Sequence, residues 1–519
     1  MNIGITHSLH RSLQVSPNRA ATIFEGRRTS WMELVDRVAR MAAALKSLGL
    51  NADDRVAYLG QNSDRIVEFY FSAFWSGGVA VPLNYRWSVQ ENLYALNDSS
   101  PRFLFVDDGY IDQADTLTKS PIEKVIYVGD GDCPAGMISS EQLISSHEPI
   151  VDARRSGGDI AGIFYTGGTT GFPKGVMISH EAIWINAISN LSEKRTHRES
   201  VILHSAPMFH MAAFTSLISG TLVAATHIAL KNFSAGDVLH TIGRYRVTQM
   251  FFVPTMLQSI LEHPEFDRTD TSCIQMLSYG AAAISEKLLR SVIERIPTAN
   301  LSQSYGQTEL GPFATTLSPQ DHLLDGRHPE RLRSAGQTVA HAEVRVVDAS
   351  RIERPVGEVG EIMVRGPGVM TGYWKLPEVT EKTLIDGWVM TGDAGYFDQF
   401  GYLYIVDRVK DMIVSGGENI YSAEVEKALN KHPNVKEAAV IGIPDDKWGE
   451  AVHAIVVVKD GEAVSKDDLI KHCREWIADY KCPKDISFRE ENLPLTSIGK
   501  VSKVELREPF WRDVDRSVN

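Results

Sequence analysis

The 519-residue sequence is poor in cysteine: only Cys133, Cys273, Cys473 and Cys482 occur, with no CxxC pair. That excludes a zinc ribbon or a disulfide-stapled scaffold and points to a reducing, cytoplasmic compartment. No run reaches the roughly 18 apolar residues needed to cross a bilayer, and the N-terminus has no apolar core ahead of a small-residue cleavage site. A transmembrane segment and a secretory leader are therefore not expected. Positive charge is also in deficit, with 53 Lys and Arg against 66 Asp and Glu and a net charge of −13. A nucleic-acid partner is disfavoured for the molecule as a whole, although a local cationic pocket is still allowed. No internal repeat, GxSxG elbow, HExxH zinc motif or dinucleotide fingerprint is evident.

What is present is an ordinary globular composition, 43% hydrophobic and 23% charged. At roughly 150 residues per domain the length allows three or four units. The first 310 residues alternate apolar runs with helix-period segments, the pattern of α/β layers. Ser30 and Glu33 form a predicted capping box, after which Leu34, Val38, Met41, Leu45 and Leu48 mark one helical face and Gly49 stops it. Strands are predicted at RVAYLG, FLFV, KVIYV, IAGIFY, QMFFV and IQMLSY, and a helix carries Leu288, Leu289, Val292, Ile293 and Ile296 on one face. From about 329 to 408 the rhythm becomes short strands with no good helix, which reads as a small β-barrel. Beyond Asp411, Ser422 is predicted to cap a helix through Leu429. Two strands, a helix capped by Ser465 and Asp468, and a final strand near Ile486 follow.

The segment with the most chemical content is Tyr165 to Val176, YTGGTTGFPKGV, directly after an apolar strand. Its glycines let backbone amides approach an anion, its threonine hydroxyls can donate to phosphate oxygens, and Lys174 adds a mobile charge. It reads as a phosphate cradle. It lacks the G-x-x-x-x-G-K-[ST] spacing, so a Walker-type NTPase is not expected.

Together with YGQTE (305 to 309), TGD (391 to 393), DRVKD (407 to 411), GGENIYS (416 to 422) and GKVSK (499 to 503), this segment closely resembles the adenylate-forming enzymes. These include acyl-CoA synthetases, peptide-synthetase adenylation domains and luciferases. The resemblance implies an α/β fold: a large N-terminal domain of layered α/β sheets plus a small β-barrel, with a mobile small α+β C-terminal domain. The expected boundaries are 1–409 (the barrel at 329–408) and 410–519, with the hinge at Lys410. It also implies a two-step reaction. A carboxylate attacks the α-phosphate of ATP to give an acyl-adenylate and pyrophosphate, and the thiol of coenzyme A then displaces AMP.

Residue by residue, the resemblance assigns Thr166, Gly167, Thr169, Thr170 and Lys174 to the phosphate loop, Thr308 to the α-phosphate and Glu309 to a magnesium ion. Such a set matches the need to hold charge while pyrophosphate leaves. Tyr305 is the expected adenine platform, with Gly280 and Ala281 on the other face. Asp393 is assigned to the ribose hydroxyls, with Arg408 beside it. Lys500 is the lysine expected to reach the acyl and phosphate oxygens during adenylation, and Gly417 and the PDDKWGE segment are expected to face coenzyme A. The acyl pocket is assigned to His210, Ala282, Gly306 and Phe313, with Ala283 adding room. Ser422 stands where the family often has proline, and Leu495 where a basic residue is common.

The leading expectation is an AMP-forming acid–CoA ligase for a medium-chain fatty or aromatic acid; a homodimer is compatible with it. Malonate is disfavoured because no arginine stands in a pocket motif. The rival from the same superfamily is a stand-alone adenylation enzyme that loads a carrier protein. The sequence runs 19 residues past Lys500, so a fused carrier is not expected. It also ends without the SKL signal, so a luciferase-like oxygenase ranks low. A non-catalytic nucleotide-binding regulator would be expected to lack Lys174, Glu309, Asp393 or Lys500, and all four are present.

Overall fold

A computed structural model describes residues 3–166, 173–282, 284–324, 328–408, 411–415, 418–445, 448–495 and 501–512. The chain divides into two units, Met1–Val344 with Val364–Met390, and Arg345–Met363 with Thr391–Asn519.

Two large sheets build the first unit. Among the described residues one has nine strands, in the order Gln337–Thr338, Thr315–Leu317, Asn300–Tyr305, Met276–Gly280, Gln249–Phe252, Val201–His204, Thr226–Ala229, Ala20–Phe24 and Arg27–Ser30. Neighbours from Asn300–Tyr305 to Ala20–Phe24 run parallel, and the outermost strand pairings at either end are antiparallel. The other sheet has eight strands among the described residues and includes Arg55–Leu59, Phe103–Val106, Lys124–Tyr127, Ile160–Thr166 and Lys174–Ser179. Both faces of a parallel sheet must be covered by apolar helix surface, which explains why these strands read as continuous apolar runs. One face of the nine-stranded sheet packs on the helices Ala235–Tyr245, Pro254–Glu262 and Glu286–Arg295 through Val238, Leu257, Leu289, Leu277 and Tyr279. A larger core joins Trp31, Phe69, Phe74, Phe164, Val176, Ile183 and Phe214. The helix Trp31–Ser47 begins with the expected reciprocal cap, Ser30 Oγ accepting from Glu33 N and the Glu33 carboxylate accepting from Ser30 N, and Gly49 takes φ +97° just beyond its end.

The stretch read as short strands does contain them: Glu343–Val347, Gly360–Arg365, Leu384–Ile385, Trp388–Phe397 and Leu403–Arg408 share one sheet. It also contains a helix, Pro377–Thr383, where none was expected. None of this helix's residues is buried, so it leaves no apolar period in the sequence; proline at its first position is the local signal that starts it.

In the second unit, Val435–Asp445 and Gly449–Val458 form a long antiparallel pair, with Asp485–Arg489 parallel to the latter. Alternation along these strands supplies two faces. Val440, Val452 and Val456 pack on the helices Ser422–Leu429 and Lys466–Arg474. Ala439, Ile441, Ile455 and Val457 pack on Leu493 and on Leu506 of the helix Lys503–Trp511. The helix capped by Ser465 and Asp468 forms as expected, with Ser465 Oγ accepting from Asp468 N.

The cap expected at Ser422 comes from elsewhere. Ser422 is the first helical residue rather than the cap, and Tyr421 at the cap position offers no side-chain bond. The cap comes from Asp407, whose Oδ2 accepts from Ser422 Oγ at 2.6 Å and from Ala423 N at 3.1 Å.

Candidate active site

In the first unit, strands Ile160–Thr166 and Lys174–Ser179 form an antiparallel hairpin with Thr166 opposite Lys174, and Thr166 Oγ1 lies 3.5 Å from Lys174 O. The glycine- and threonine-rich segment is thus the connection between two strand ends. Gly167, Thr169 and Thr170 of that segment lie outside the described residues, as does Ala283.

From this hairpin the structure leads to Glu309. Strand Gly372–Tyr373 pairs with Lys174–Ser179, Tyr373 opposite Val176. The ammonium of Lys174 stands 4.8 Å from the centre of the Tyr373 ring, a cation–π distance. The Tyr373 hydroxyl donates to Glu309 Oε1 at 2.8 Å, and Met370 N donates to the Glu309 backbone carbonyl at 2.8 Å. Glu309 is 8% exposed and makes no ion pair among the described residues. Burial, the Glu309 charge and the bond to Glu309 raise the Tyr373 pKa, so the phenol stays a donor. Sequence reasoning missed Tyr373, since the glycine-rich stretch before it reads only as turns.

Thr308 and Glu309 sit in a short 3-10 turn directly after strand Asn300–Tyr305. Gly306 lets that turn fold back, because a Cβ there would stand 2.2 Å from Pro312 O and 2.6 Å from Phe313 Cα. Phe313 is buried, with its ring edge-on to His341. A Cβ on Gly280 would meet Ser304 O at 2.5 Å, so glycine is required where the two strand ends converge. Ala281 follows with φ +63° and is exposed, and Ala282 is partly buried. The first unit therefore gathers Thr166, Lys174 and Glu309 through Tyr373, and Gly280, Tyr305, Gly306 and Phe313 around adjoining strand ends. His210 precedes the helix Met211–Leu222, its ring centre 4.2 Å from that of Phe209.

The second unit holds Asp393 opposite Arg408 in an antiparallel pair, with Arg408 Nε 2.8 Å from Asp393 Oδ1. Asp393 is 6% exposed, and its backbone N donates to Thr391 Oγ1. Beside it, burial raises the pKa of Glu361, opposed by the bond that Glu361 accepts from Gly392 N. Asp407, Ser422, Lys503 and Glu426 form a chain of polar contacts, Lys503 Nζ lying 2.5 Å from Ser422 Oγ and 2.7 Å from Glu426 Oε1. Lys410, Gly417 and Lys500 lie outside the described residues.

A magnesium ion prefers oxygen ligands and keeps waters or substrate phosphates in much of its octahedron. One buried carboxylate without a cationic partner among the described residues fits that requirement. No group of three His, Cys, Asp or Glu able to hold a metal occurs among the described residues. A metal at Glu309 would therefore take most of its oxygens from nucleotide and water.

The family profile for AMP-binding enzymes matches residues 9–374, and that for the AMP-binding enzyme C-terminal domain matches 424–500. This chain belongs to the AMP-binding enzyme family. It is 38% identical over 502 residues to a feruloyl-CoA synthase of an Amycolatopsis species, covering 96% of this chain and 98% of that protein. To an indoleacetate–CoA ligase of Aromatoleum aromaticum it is 34% identical, covering 96% and 97%. Among solved structures it is similar to the o-succinylbenzoate CoA synthetase of Bacillus subtilis in complex with its acyl-adenylate intermediate. That similarity has TM-score 0.83 and 32% identity and covers 96% of this chain and 97% of the other. As an AMP-binding enzyme with CoA ligases among its similar relatives, the chain has the mixed α/β architecture expected of it.

Proposed function

We propose that this AMP-binding enzyme is an AMP-forming acid–CoA ligase acting on an aromatic or medium-chain fatty acid, in the cytoplasm, where ATP and coenzyme A are at hand. The observation that carries the reading is the Lys174–Tyr373–Glu309 constellation: a cation and a buried carboxylate fixed to one phenol beside a glycine-rich hairpin end. The feruloyl-CoA synthase, indoleacetate–CoA ligase and o-succinylbenzoate CoA synthetase similarities support the acid and thiol classes.

In the first half-reaction a carboxylate oxygen of the acid attacks the α-phosphorus of ATP. The bond to the bridging oxygen breaks and pyrophosphate leaves. Lys174 and the hydroxyls of Thr166 and Thr308 hold phosphate oxygens as this charge develops, and Glu309 would hold magnesium, which screens the phosphates when bound. Gly280 and Tyr305 bracket the base, and Asp393 accepts from the ribose hydroxyls. Stacking is worth about 1–3 kcal/mol per base. In the second half-reaction the sulfur of coenzyme A attacks the acyl carbon and AMP leaves. Lys500 acts in the first step, Lys410 is the pivot between steps, and Gly417 faces the thiol substrate.

Separate half-reactions test this. Exchange of labelled pyrophosphate into ATP should require the acid but not coenzyme A. Exchange that requires coenzyme A would contradict a free acyl-adenylate step.

A further inference from the structure

Inside the first unit lies a set of polar atoms that this chemistry leaves unused. Leu277, Tyr279 and Leu301 face the apolar cluster on one side of the nine-stranded sheet. Alternation and register therefore turn Ser278, Ser302 and Ser304 to the opposite, inner face. There the hydroxyls of Ser302, Ser304 and Thr316 have no hydrogen-bond partner among the described residues, although Ser302 is 0% and Thr316 6% exposed. Two more unpartnered atoms come from the helix His180–Lys194, Asn186 Oδ1 and Ser189 Oγ. Buried polar groups are normally paired, so three orphan hydroxyls on one sheet face imply a partner from outside the chain.

The last residue of that helix sharpens the chemistry. Lys194 Nζ makes no hydrogen bond or ion pair among the described residues and lies 5.8 Å from the centre of the Phe251 ring. Burial lowers its pKa to about 8. The helix end is tied to the same sheet, because Gln249 Nε2 donates to Lys194 O at 3.4 Å. Phe251, two residues on and on the same face as Gln249, lies opposite Ser278. The Phe251 ring edge would be 3.6 Å from a Cβ on Gly280. An aromatic wall therefore runs from the strand end at Gly280 toward an ammonium that has no hydrogen-bond or ion-pair partner among the described residues. Gly280 and Ser278 are two residues apart along the strand, about 7 Å, the length of a benzene ring with one substituent.

Resting on the acid–CoA ligase reading, we propose that this layer is the acyl chamber and that its acid is an aryl acid with an oxygen substituent remote from the carboxyl, which accepts from Lys194. An unadorned alkyl chain would leave the inner-face hydroxyls unpaired. A site built to bond a substrate oxygen rejects the analogue lacking it far more strongly than it rejects a change of one methylene.

Calorimetric binding in the presence of AMP tests this independently of turnover, using 4-hydroxycinnamate, 4-carboxycinnamate, cinnamate and octanoate with wild type, Lys194→Met and Ser302→Ala. In wild type at least one 4-oxygenated acid should bind at least tenfold more tightly than cinnamate and octanoate. That ratio should fall below threefold in Lys194→Met and part of the way in Ser302→Ala, each variant being checked by melting. Tighter binding of the carboxy acid identifies the remote group as a carboxylate, and tighter binding of the hydroxy acid identifies a phenol. Equal or tighter binding of octanoate, no binding of either oxygenated acid, or a Lys194→Met that weakens all four acids by one factor overturns the proposal. AMP release from ATP with the same acids is read separately: discrimination in binding without AMP release fails the ligase reading and not the chamber.

Discussion

Replacing Tyr373 by phenylalanine removes one hydroxyl and leaves the ring under Lys174, so it isolates the bond to Glu309. That bond is 2.8 Å long and ends on a carboxylate that is 8% exposed. A hydrogen bond to a charged group contributes about 1.5–3 kcal/mol, and each 1.4 kcal/mol is about tenfold in rate or affinity. If the phenol serves to orient the carboxylate for magnesium and phosphate, the loss should fall on nucleotide use. We expect kcat/KM for ATP in pyrophosphate exchange to drop about 10- to 100-fold, with the half-saturating magnesium concentration rising by a similar factor. Tyr373→Leu, which also removes the ring 4.8 Å from Lys174, should be worse than Tyr373→Phe. Manganese binding to the protein with a non-hydrolysable ATP analogue, followed by electron paramagnetic resonance, gives a readout apart from turnover. Wild-type magnesium dependence together with wild-type ATP kinetics in a folded Tyr373→Phe protein would refute the reasoning.

Lys500→Ala should slow adenylation about 10²–10³-fold while sparing transfer from a supplied acyl-adenylate to coenzyme A; equal losses in both half-reactions would defeat the two-step role. His204 Nε2 and His227 Nδ1 are 2.9 Å apart and fully desolvated, which lowers the His204 pKa to about 4 and the His227 pKa well below its ordinary value. The unfolded chain then binds more protons below about pH 6.5, so stability is full above that value and falls as the pH drops toward 4. For His204 alone the loss at pH 5 is about 2 kcal/mol, readable as a lower urea midpoint than at pH 7.5, and an unchanged midpoint would contradict it. Asp407→Ala removes the distant cap of the helix Ser422–Leu429 and should cost about 1 kcal/mol in urea unfolding, and no loss would show the cap to be idle.

Most of the architecture was readable because apolar runs and caps are local. The strands at Arg55, Phe103, Lys124, Ile160 and Gln249 and the caps at Ser30 and Ser465 were all legible in this way. The site was legible only through its motifs, and its connections were not. Tyr373 meets Glu309 from 64 positions away because a two-residue strand pairs beside Lys174. The cap of the helix at Ser422 comes from Asp407, 15 residues earlier, a partner that local sequence does not show. The inner-face hydroxyls at Ser302, Ser304 and Thr316 look like polar interruptions of strands until register places them in one layer.

The most direct measurement is the product balance with magnesium, ATP, coenzyme A and an aryl acid such as 4-hydroxycinnamate. One AMP, one pyrophosphate and one acyl-CoA thioester should form for each ATP consumed. ADP and inorganic phosphate in their place, or AMP formed from every aryl and alkyl acid without any thioester, would contradict the acid–CoA ligase reading.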